Sequence, residues 1–107
     1  VIEMYYMMFV QIQNDINWQN QTRDLSNAYL YNTDLTNAYL FGANLFGANL
    51  NDADLRYADL RYADLTNAFL YLVTLTDADL SDVIWSNTTC PDGTNSDDNG
   101  NTCENNL

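Results

Sequence analysis

Leucine occupies every fifth position of the chain from Leu25 to Leu80, twelve times without interruption. A five-residue step fits neither common secondary structure. It turns the side chain by about 140° on an α-helix, and it alternates between the two faces of a continuous strand. In most repeats alanine stands two residues before the leucine, and Asp or Asn lies between them. The hydrophobic pattern is therefore A-(D/N)-L-x-x, with mostly polar residues at the last two positions.

This unit predicts a short strand followed by a corner. One large and one small apolar residue, two positions apart, point inward together as alternate residues of a strand do. The polar pair then turns the chain, so that the next leucine faces the same axis. The pattern predicts a solenoid with a narrow core, in which stacked coils pair through their backbones at about 4.8 Å.

Over residues 23–87 the repeat resembles the pentapeptide-repeat family. The resemblance implies an all-β fold, a right-handed four-sided β-helix with four pentapeptides per coil and about three coils in this chain. A step of twenty residues then stacks Leu25, Leu45 and Leu65 in one column with Trp85. Because Trp85 is larger than the leucines of its column, we expect it to help close the core.

The first 22 residues precede the repeats. Residues 1–10, VIEMYYMMFV, are apolar, β-branched and aromatic, which predicts a strand. The run is too short to span a bilayer and lacks the features of a signal peptide. An unpaired strand of this kind is prone to pair with other chains, so we expect an edge of this chain or a neighbouring subunit to cover it. The predicted assembly residues are Val1, Ile2, Tyr5, Tyr6, Phe9 and Val10, and residues 11–22 form a polar connector.

The charge of the chain is one-sided. The chain has fifteen acidic residues and three arginines, with no lysine and no histidine, for a net charge of −12. Direct binding to nucleic acid is not expected, because phosphate contacts need cations. Without histidine an enzyme would depend on carboxylates, and Asp54, Asp59 and Asp64 recur only because the repeat dictates it. We therefore predict turn formation by these acids, no catalytic residues and no membrane span.

Residues 88–107 contain both cysteines, Cys90 and Cys103, and abandon the leucine pattern. The loop between the cysteines is short, and a disulfide there contributes about 3 kcal/mol by loop-closure arithmetic. Zinc is not expected, because no histidine or further cysteine is present. A disulfide-closed cap predicts an oxidising compartment: secreted or extracellular, periplasm, or thylakoid lumen. The tail also resembles the ending of cyanobacterial pentapeptide-repeat proteins.

Two further sites in the polar segments are candidates. Asn95, Asp97 and Asn99, followed by Gly100, resemble the first half of a calcium-binding loop, but Asn106 stands where the bidentate glutamate belongs. The alternative is an Asx-rich cap without metal, and no other cofactor is expected. Asn20 and Asn87 begin N-glycosylation sequons, which matter only if the source glycosylates secreted proteins.

Outward aromatic residues are the candidates for an interaction surface. They are Phe41, Phe46, Tyr57, Tyr62, Tyr31 and Tyr71. The alternative is a solvated wall of stacked ladders with cation–π contacts from neighbouring arginines. An unusual number of exposed aromatic rings on a small solenoid favours contact with a protein or a sugar.

We therefore predict a non-catalytic extracellular structural protein. It would self-associate into a homo-oligomer or filament, through the ends of the β-helix and the N-terminal strand. The alternatives are a protein- or glycan-binding module and, from the family resemblance, an acidic DNA mimic that binds DNA gyrase. The mimic is disfavoured because three coils at strand spacing span only about 15 Å.

Overall fold

The computed structural model describes residues 23–107 of the chain. The predicted N-terminal strand with its six assembly residues, the polar connector and the Asn20 sequon lie outside the described residues.

Backbone pairing repeats at twenty-residue intervals along the body. Ten parallel β-bridges join residues twenty apart, beginning with Asp24 to Asn44 and ending with Phe69 to Thr89. The chain winds as a right-handed four-sided β-helix, which confirms the predicted fold. Each side is a ladder of single bridges. The other elements of residues 23–107 are an antiparallel bridge from Thr89 to Asn95 and a 3-10 helix, Ser96–Asp98.

The four sides are numbered here in chain order. Face 1 contains residues 23–27, 43–47, 63–67 and 83–87, and face 2 contains residues 28–32, 48–52, 68–72 and 88–92. Face 3 contains residues 33–37, 53–57 and 73–77, and face 4 contains residues 38–42, 58–62 and 78–82. Faces 2 and 4 are therefore on opposite sides of the molecule.

The core is a stack of leucines and alanines, as the pattern predicts. The leucine side chains from Leu30 to Leu70 are almost completely buried, and the intervening alanines fill the remaining space. Trp85 is buried in the same cluster, at the end of the column that begins with Leu25. Leu75 and Leu80, in the last coil, are slightly more exposed because no further coil covers faces 3 and 4.

Each corner is a tight turn with an unusual backbone. The alanine N–H donates to the carbonyl of the preceding leucine, as from Ala58 to Leu55 at 3.1 Å. The residue before the alanine has a positive φ, as the third position of a type II turn requires. Asn, Asp and Gly suit this conformation. Tyr57, Tyr62 and Leu72 also adopt it, with φ of 63°, 60° and 62°, at a cost of about 1–2 kcal/mol each.

Replacing Leu72 should therefore stabilise the fold. Its side chain is 55% exposed, so little packing is lost on removal. We expect Leu72→Asn to raise the free energy of unfolding by about 1 kcal/mol, because asparagine tolerates a positive φ. Urea denaturation followed by circular dichroism measures this. The matched control is Thr76→Asn, at an exposed position that does not have a positive φ. Equal effects of the two substitutions would contradict the strain argument.

The first residues of the tail continue the β-helical coil. Thr88 takes the alanine position and is fully buried, and its hydroxyl donates to the Leu65 carbonyl at 2.8 Å. Cys90 takes the leucine position above Leu70. The helical register thus extends past residue 87, where the loss of leucine suggested that it ends. Threonine and cysteine are small enough to enter the core, which the leucine pattern alone does not show.

Cys90 and Cys103 form the predicted disulfide, with a Cα–Cα distance of 5.3 Å and both cysteines fully buried. Ser96, also buried, exchanges hydrogen bonds with Thr88: the Ser96 N–H donates to the Thr88 carbonyl at 2.8 Å, and the Thr88 N–H donates to Ser96 Oγ at 3.0 Å. These contacts fasten the tail over the end of faces 1 and 2. At the end of faces 3 and 4 the described part of the tail contributes Leu107, which lines a hollow with residues of the last coil.

Candidate interaction surfaces

Face 4 carries a cluster of aromatic rings and arginine. The Phe41 and Tyr62 rings lie 5.3 Å apart, and the Arg61 guanidinium lies 5.1 Å from the centre of the Phe41 ring. Phe41 also stacks with Tyr39 at 6.2 Å. Phe41 is therefore half-buried rather than openly exposed as the sequence suggested, because the twenty-residue step places Arg61 beside it. This corner matches the alternative of a ladder with cation–π contacts.

The acidic residues between alanine and leucine mainly hold turns together. Asp54, Asp59 and Asp64 each accept the backbone N–H two residues further on, at 3.0–3.2 Å. In other repeats a hydroxyl adds a second bond. Ser26 Oγ donates to the Asp24 carboxylate at 2.6 Å, and this bond is the main reason that the pKa of Asp24 is lowered. The same pattern lowers the pKa values of Asp34, Asp79 and Asp92.

Arg56 and Arg61 form ion pairs on the surface. Arg56 contacts Asp54, and Arg61 contacts Asp59, each at 2.7 Å. The Arg61 side chain holds the pKa of the Asp59 carboxyl below its usual value by hydrogen bonding, against a smaller opposing effect of burial. Both pairs are partly exposed, so each contributes about 0–1 kcal/mol to stability.

Arg61→Gln should raise the pKa of Asp59 toward its ordinary value near 4. A lowered carboxyl pKa in the folded state stabilises the protein above the unfolded pKa, and this stability is lost as pH falls through the folded pKa. The variant should therefore lose less stability than the parent on acidification from pH 5 to pH 2. Carboxyl carbon NMR titration measures the shift. Arg56→Gln is the matched control, and it should move Asp54 and leave Asp59 unchanged. An unmoved Asp59 in the Arg61 variant would contradict the assignment.

The six predicted contact residues do not form one patch. Tyr31 and Tyr71 lie on face 2, and Phe41 and Tyr62 lie on face 4, on the opposite side. Tyr57 and Phe46 lie on faces 3 and 1, and all six residues occupy one of the two corner positions of their repeats. All except Phe41 are exposed. Any single flat partner can therefore contact only part of the predicted set.

Other exposed hydrophobic residues extend face 2. Tyr29, Phe69 and Leu72 belong to this face, and Ile84 lies on face 1 beside it. Sequence reasoning did not select them. The signal was present, because Leu72 and Ile84 are apolar residues at outward positions of the repeat.

The three calcium candidates form hydrogen bonds within the tail and to the last coil. Asn95 Oδ1 accepts the Asp97 N–H at 2.9 Å, and Asp97 Oδ1 accepts the Asn87 N–H at 2.8 Å. Asn99 donates its side-chain amide to Thr94 Oγ1 and to the Asn95 carbonyl, both at 2.8 Å. Within residues 23–107, no three His, Cys, Asp or Glu side chains form a group that could hold a metal ion. The Asx-rich cap, the alternative weighed for this loop, accounts for these contacts.

The Asn87 sequon lies in a ladder of amides. Asn87 Nδ2 donates to Asn67 Oδ1 at 2.9 Å, and Asn87 Oδ1 accepts from Asn95 Nδ2 at 2.8 Å. A glycan attached to Asn87 Nδ2 would compete with the first of these bonds.

The C-terminal rim, defined here as residues 73–82 on the last coil of faces 3 and 4, is an open end of the β-helix. Within the described residues, the backbone N–H groups of Leu75, Asp77, Leu80 and Asp82 have no hydrogen-bond partner. In the coils below, the equivalent groups donate to the next coil, as Leu55 does to Thr74 at 2.9 Å. The rim borders a hollow of about 530 Å³, lined by Val73, Thr74, Leu75, Thr76, Asp77, Ala78, Leu80 and Leu107.

The fold and these surfaces define a β-helical solenoid with an acidic, aromatic exterior. A family model described as pentapeptide repeats matches in eight copies over residues 24–56, 34–70 and 53–84, which is more than half of the chain. The chain belongs to the pentapeptide repeat family, as its repeat indicated. Members of this family are generally non-enzymatic structural or protein-interaction modules.

Three solved structures are similar to this chain. A pentapeptide repeat protein from the cyanobacterium Cyanothece 51142 is 40% identical, with a TM-score of 0.44, over 56% of this chain and 48% of that one. HetL from Nostoc sp. strain PCC 7120, involved in heterocyst differentiation regulation, is 36% identical, with a TM-score of 0.28, over 66% of this chain and 38% of that one. A protein of the Arabidopsis thaliana thylakoid lumen is 27% identical, with a TM-score of 0.29, over 73% and 62%.

The chain spans less than two thirds of the length of each of these three structures. A search of curated proteins found no match. Among residues 23–107 no helix has the length and apolar character needed to cross a membrane.

Proposed function

We propose that this protein is a non-catalytic structural module that self-associates end to end through the C-terminal rim. The observation that carries the proposal is the row of backbone N–H groups at Leu75, Asp77, Leu80 and Asp82 that have no hydrogen-bond partner within residues 23–107. Such an edge is a template for an added strand, since each new N–H to carbonyl bond replaces one to water and the strand covers the apolar side chains that partly line the hollow beneath.

A second copy of the chain is the partner that fits this edge. The sequence predicts an extended apolar strand at Val1 to Val10. Its valine, isoleucine, tyrosine and phenylalanine residues can pack on the valine, leucine and alanine side chains of the hollow, which threonine and aspartate also line. The rim and the strand are different surfaces, so the contact is head-to-tail. Contacts of this type generate open filaments when the rotation between copies does not close a ring.

Electrostatic repulsion opposes this association. The chain carries a net charge of −12, and Asp77, Asp79 and Asp82 lie on or beside the rim. Exposed charges are screened over about 8 Å at physiological ionic strength and over much longer distances at low salt. The assembly should therefore grow as salt is raised from 20 to 300 mM, which is opposite to the behaviour of an assembly held by surface ion pairs.

We further propose an oxidising compartment for the protein. Cys90 and Cys103 are joined and fully buried at the end of the leucine stack. Structural disulfides of this kind persist outside the reducing cytosol. The same observation disfavours the DNA-mimic alternative, since DNA gyrase acts on chromosomal DNA inside the cell.

Sedimentation velocity with two charge-matched variants tests the self-association. Ala78→Glu places a carboxylate in the rim, at a half-buried position that is open to the hollow. Leu72→Glu adds the same charge to the exposed wall of face 2. We expect the parent and Leu72→Glu to form large species at 300 mM salt, and Ala78→Glu to remain a monomer with unchanged circular dichroism. A monomeric parent at all salt concentrations, or equal assembly of both variants, would overturn the proposal.

A further inference from the structure

Face 2 has a shallow trough across its width. Tyr29 and Tyr31 in the first coil stack on each other with ring centres 6.1 Å apart. Phe69 and Tyr71, both exposed, occupy the same two positions in the third coil. The coil between them carries short amides, Asn49 and Asn51, which are half-buried. Two aromatic walls thus flank a lower polar floor, at a separation of about 10 Å for two coil spacings.

The floor presents hydrogen-bond donors. Asn49 Oδ1 accepts the Asn51 N–H at 3.0 Å, and Asn51 Oδ1 accepts the Tyr71 N–H at 2.9 Å. These bonds fix which end of each amide is oxygen. The two side-chain NH2 groups are then left without a hydrogen-bond partner within residues 23–107. A ligand that lies in the trough meets two amide donors between aromatic rings.

The charge of face 2 restricts the class of ligand. All three arginines of the chain lie on other faces, at Arg23, Arg56 and Arg61, and the chain has no lysine. Asp52 and Asp92 are the charged residues of face 2, and the charge of the nearby Asp52 carboxylate raises the pKa of the Tyr31 hydroxyl. An anionic ligand would therefore meet repulsion without any compensating cation. A cationic ligand gains nothing from the amide donors, which require an acceptor.

We propose that face 2 binds a neutral oligosaccharide of extended, β-linked pyranose rings. The C–H faces of the sugar rings cover the exposed aromatic pairs, and ring hydroxyls accept hydrogen bonds from the Asn49 and Asn51 amides. This combination of aromatic surface and a few placed polar groups is the usual composition of a small-molecule site. Because the aromatic pairs are two coils apart, a ligand that touches both is longer than one sugar ring.

The site lies within one chain and therefore does not depend on the proposed self-association. Isothermal titration calorimetry with cellohexaose, xylohexaose and chitohexaose tests it. We expect binding of at least one of these hexasaccharides, and none of glucose or of hexagalacturonate, which carries one carboxylate per ring.

Two pairs of matched variants locate the binding. Tyr31→Ala with Tyr71→Ala removes one ring from each wall, and Tyr57→Ala with Tyr62→Ala removes two rings elsewhere that are more exposed. Asn49→Asp replaces the NH2 donor by an acceptor and keeps the oxygen that the Asn51 N–H needs. Asn44→Asp makes the same change on face 1, where Asn44 Oδ1 accepts the Phe46 N–H at 3.0 Å.

The face 2 variants should weaken binding at least tenfold, and the two controls should change it less than twofold. Circular dichroism and thermal melts establish that each variant remains folded. The absence of binding by all three hexasaccharides at millimolar concentration would overturn the proposal. Equal weakening by the control variants would also overturn it.

Discussion

Leu50→Ala should lower the free energy of unfolding by about 3–5 kcal/mol. Leu50 is fully buried in the middle of its column, between Leu30 and Leu70, and it is covered from above and below by complete coils. The backbone on either side is tied by bonds to both neighbouring coils, as from the Leu50 N–H to the Phe69 carbonyl at 2.9 Å. The coils therefore cannot move together to fill the space, and the cavity term adds to the lost burial of the side chain.

Urea denaturation monitored by circular dichroism measures this loss. Leu72→Ala removes the same atoms from an exposed position and should cost less than about 1 kcal/mol. Leu80→Ala should fall between the two, because Leu80 borders the open hollow of the C-terminal rim. If Leu50→Ala costs no more than Leu72→Ala, the leucine stack is not the main source of stability.

Removal of the disulfide by the double substitution Cys90→Ser and Cys103→Ser should cost about 2–5 kcal/mol. Two effects combine. The crosslink restricts the unfolded chain across a sequence separation of 13 residues, and the buried sulfur atoms fill the end of the core above Leu70. Serine would place hydroxyls in the same apolar space, where an unpaired polar group is unfavourable.

Thermal melts with and without a reducing agent separate these contributions. The parent should melt at a lower temperature when reduced, and the double variant should not respond to the reductant. Reduction should also open the tail to proteolysis after residue 90, because hydrogen bonds alone, such as those of Asn95 and Ser96, then hold it to the last coil. Identical melts of the oxidised and reduced parent would contradict a stabilising role.

The sequence predicted the fold well because the same requirement, burial of a leucine side chain, recurs every five residues. A leucine at every fifth position predicts a solenoid that buries all twelve. The family resemblance implies that the solenoid has four sides, and the structure confirms this fold. The turn-forming role of Asp54, Asp59 and Asp64 could also be inferred from the pattern, and each carboxylate accepts the expected backbone N–H.

The details of the surface depended on neighbours that lie twenty residues apart. Phe41 was expected to be exposed, and Arg61 and Tyr62 cover it from the next coil. The β-helix also continues beyond residue 87, where the repeats were predicted to end. Thr88 and Cys90 enter the core there, although they do not resemble the alanine and leucine that they replace. Asn95 and Asn99 were selected from the sequence as part of a calcium-binding loop, and their amide side chains form hydrogen bonds within the tail that the sequence does not show.

Because the four corners are equivalent, an insertion at any of them can rearrange the outward residues without disturbing the core. Neighbouring units such as FGANL-FGANL and RYADL-RYADL are identical in sequence, so a five-residue duplication is accommodated at any corner. Such an insertion keeps every later leucine inside, but it rotates all later outward residues by one face. An insertion between residues 52 and 53 would move Phe69 and Tyr71 away from Tyr29 and Tyr31 while leaving the buried stack intact. Gene duplication in units of five codons can thus rearrange binding faces, whereas units of twenty codons lengthen them.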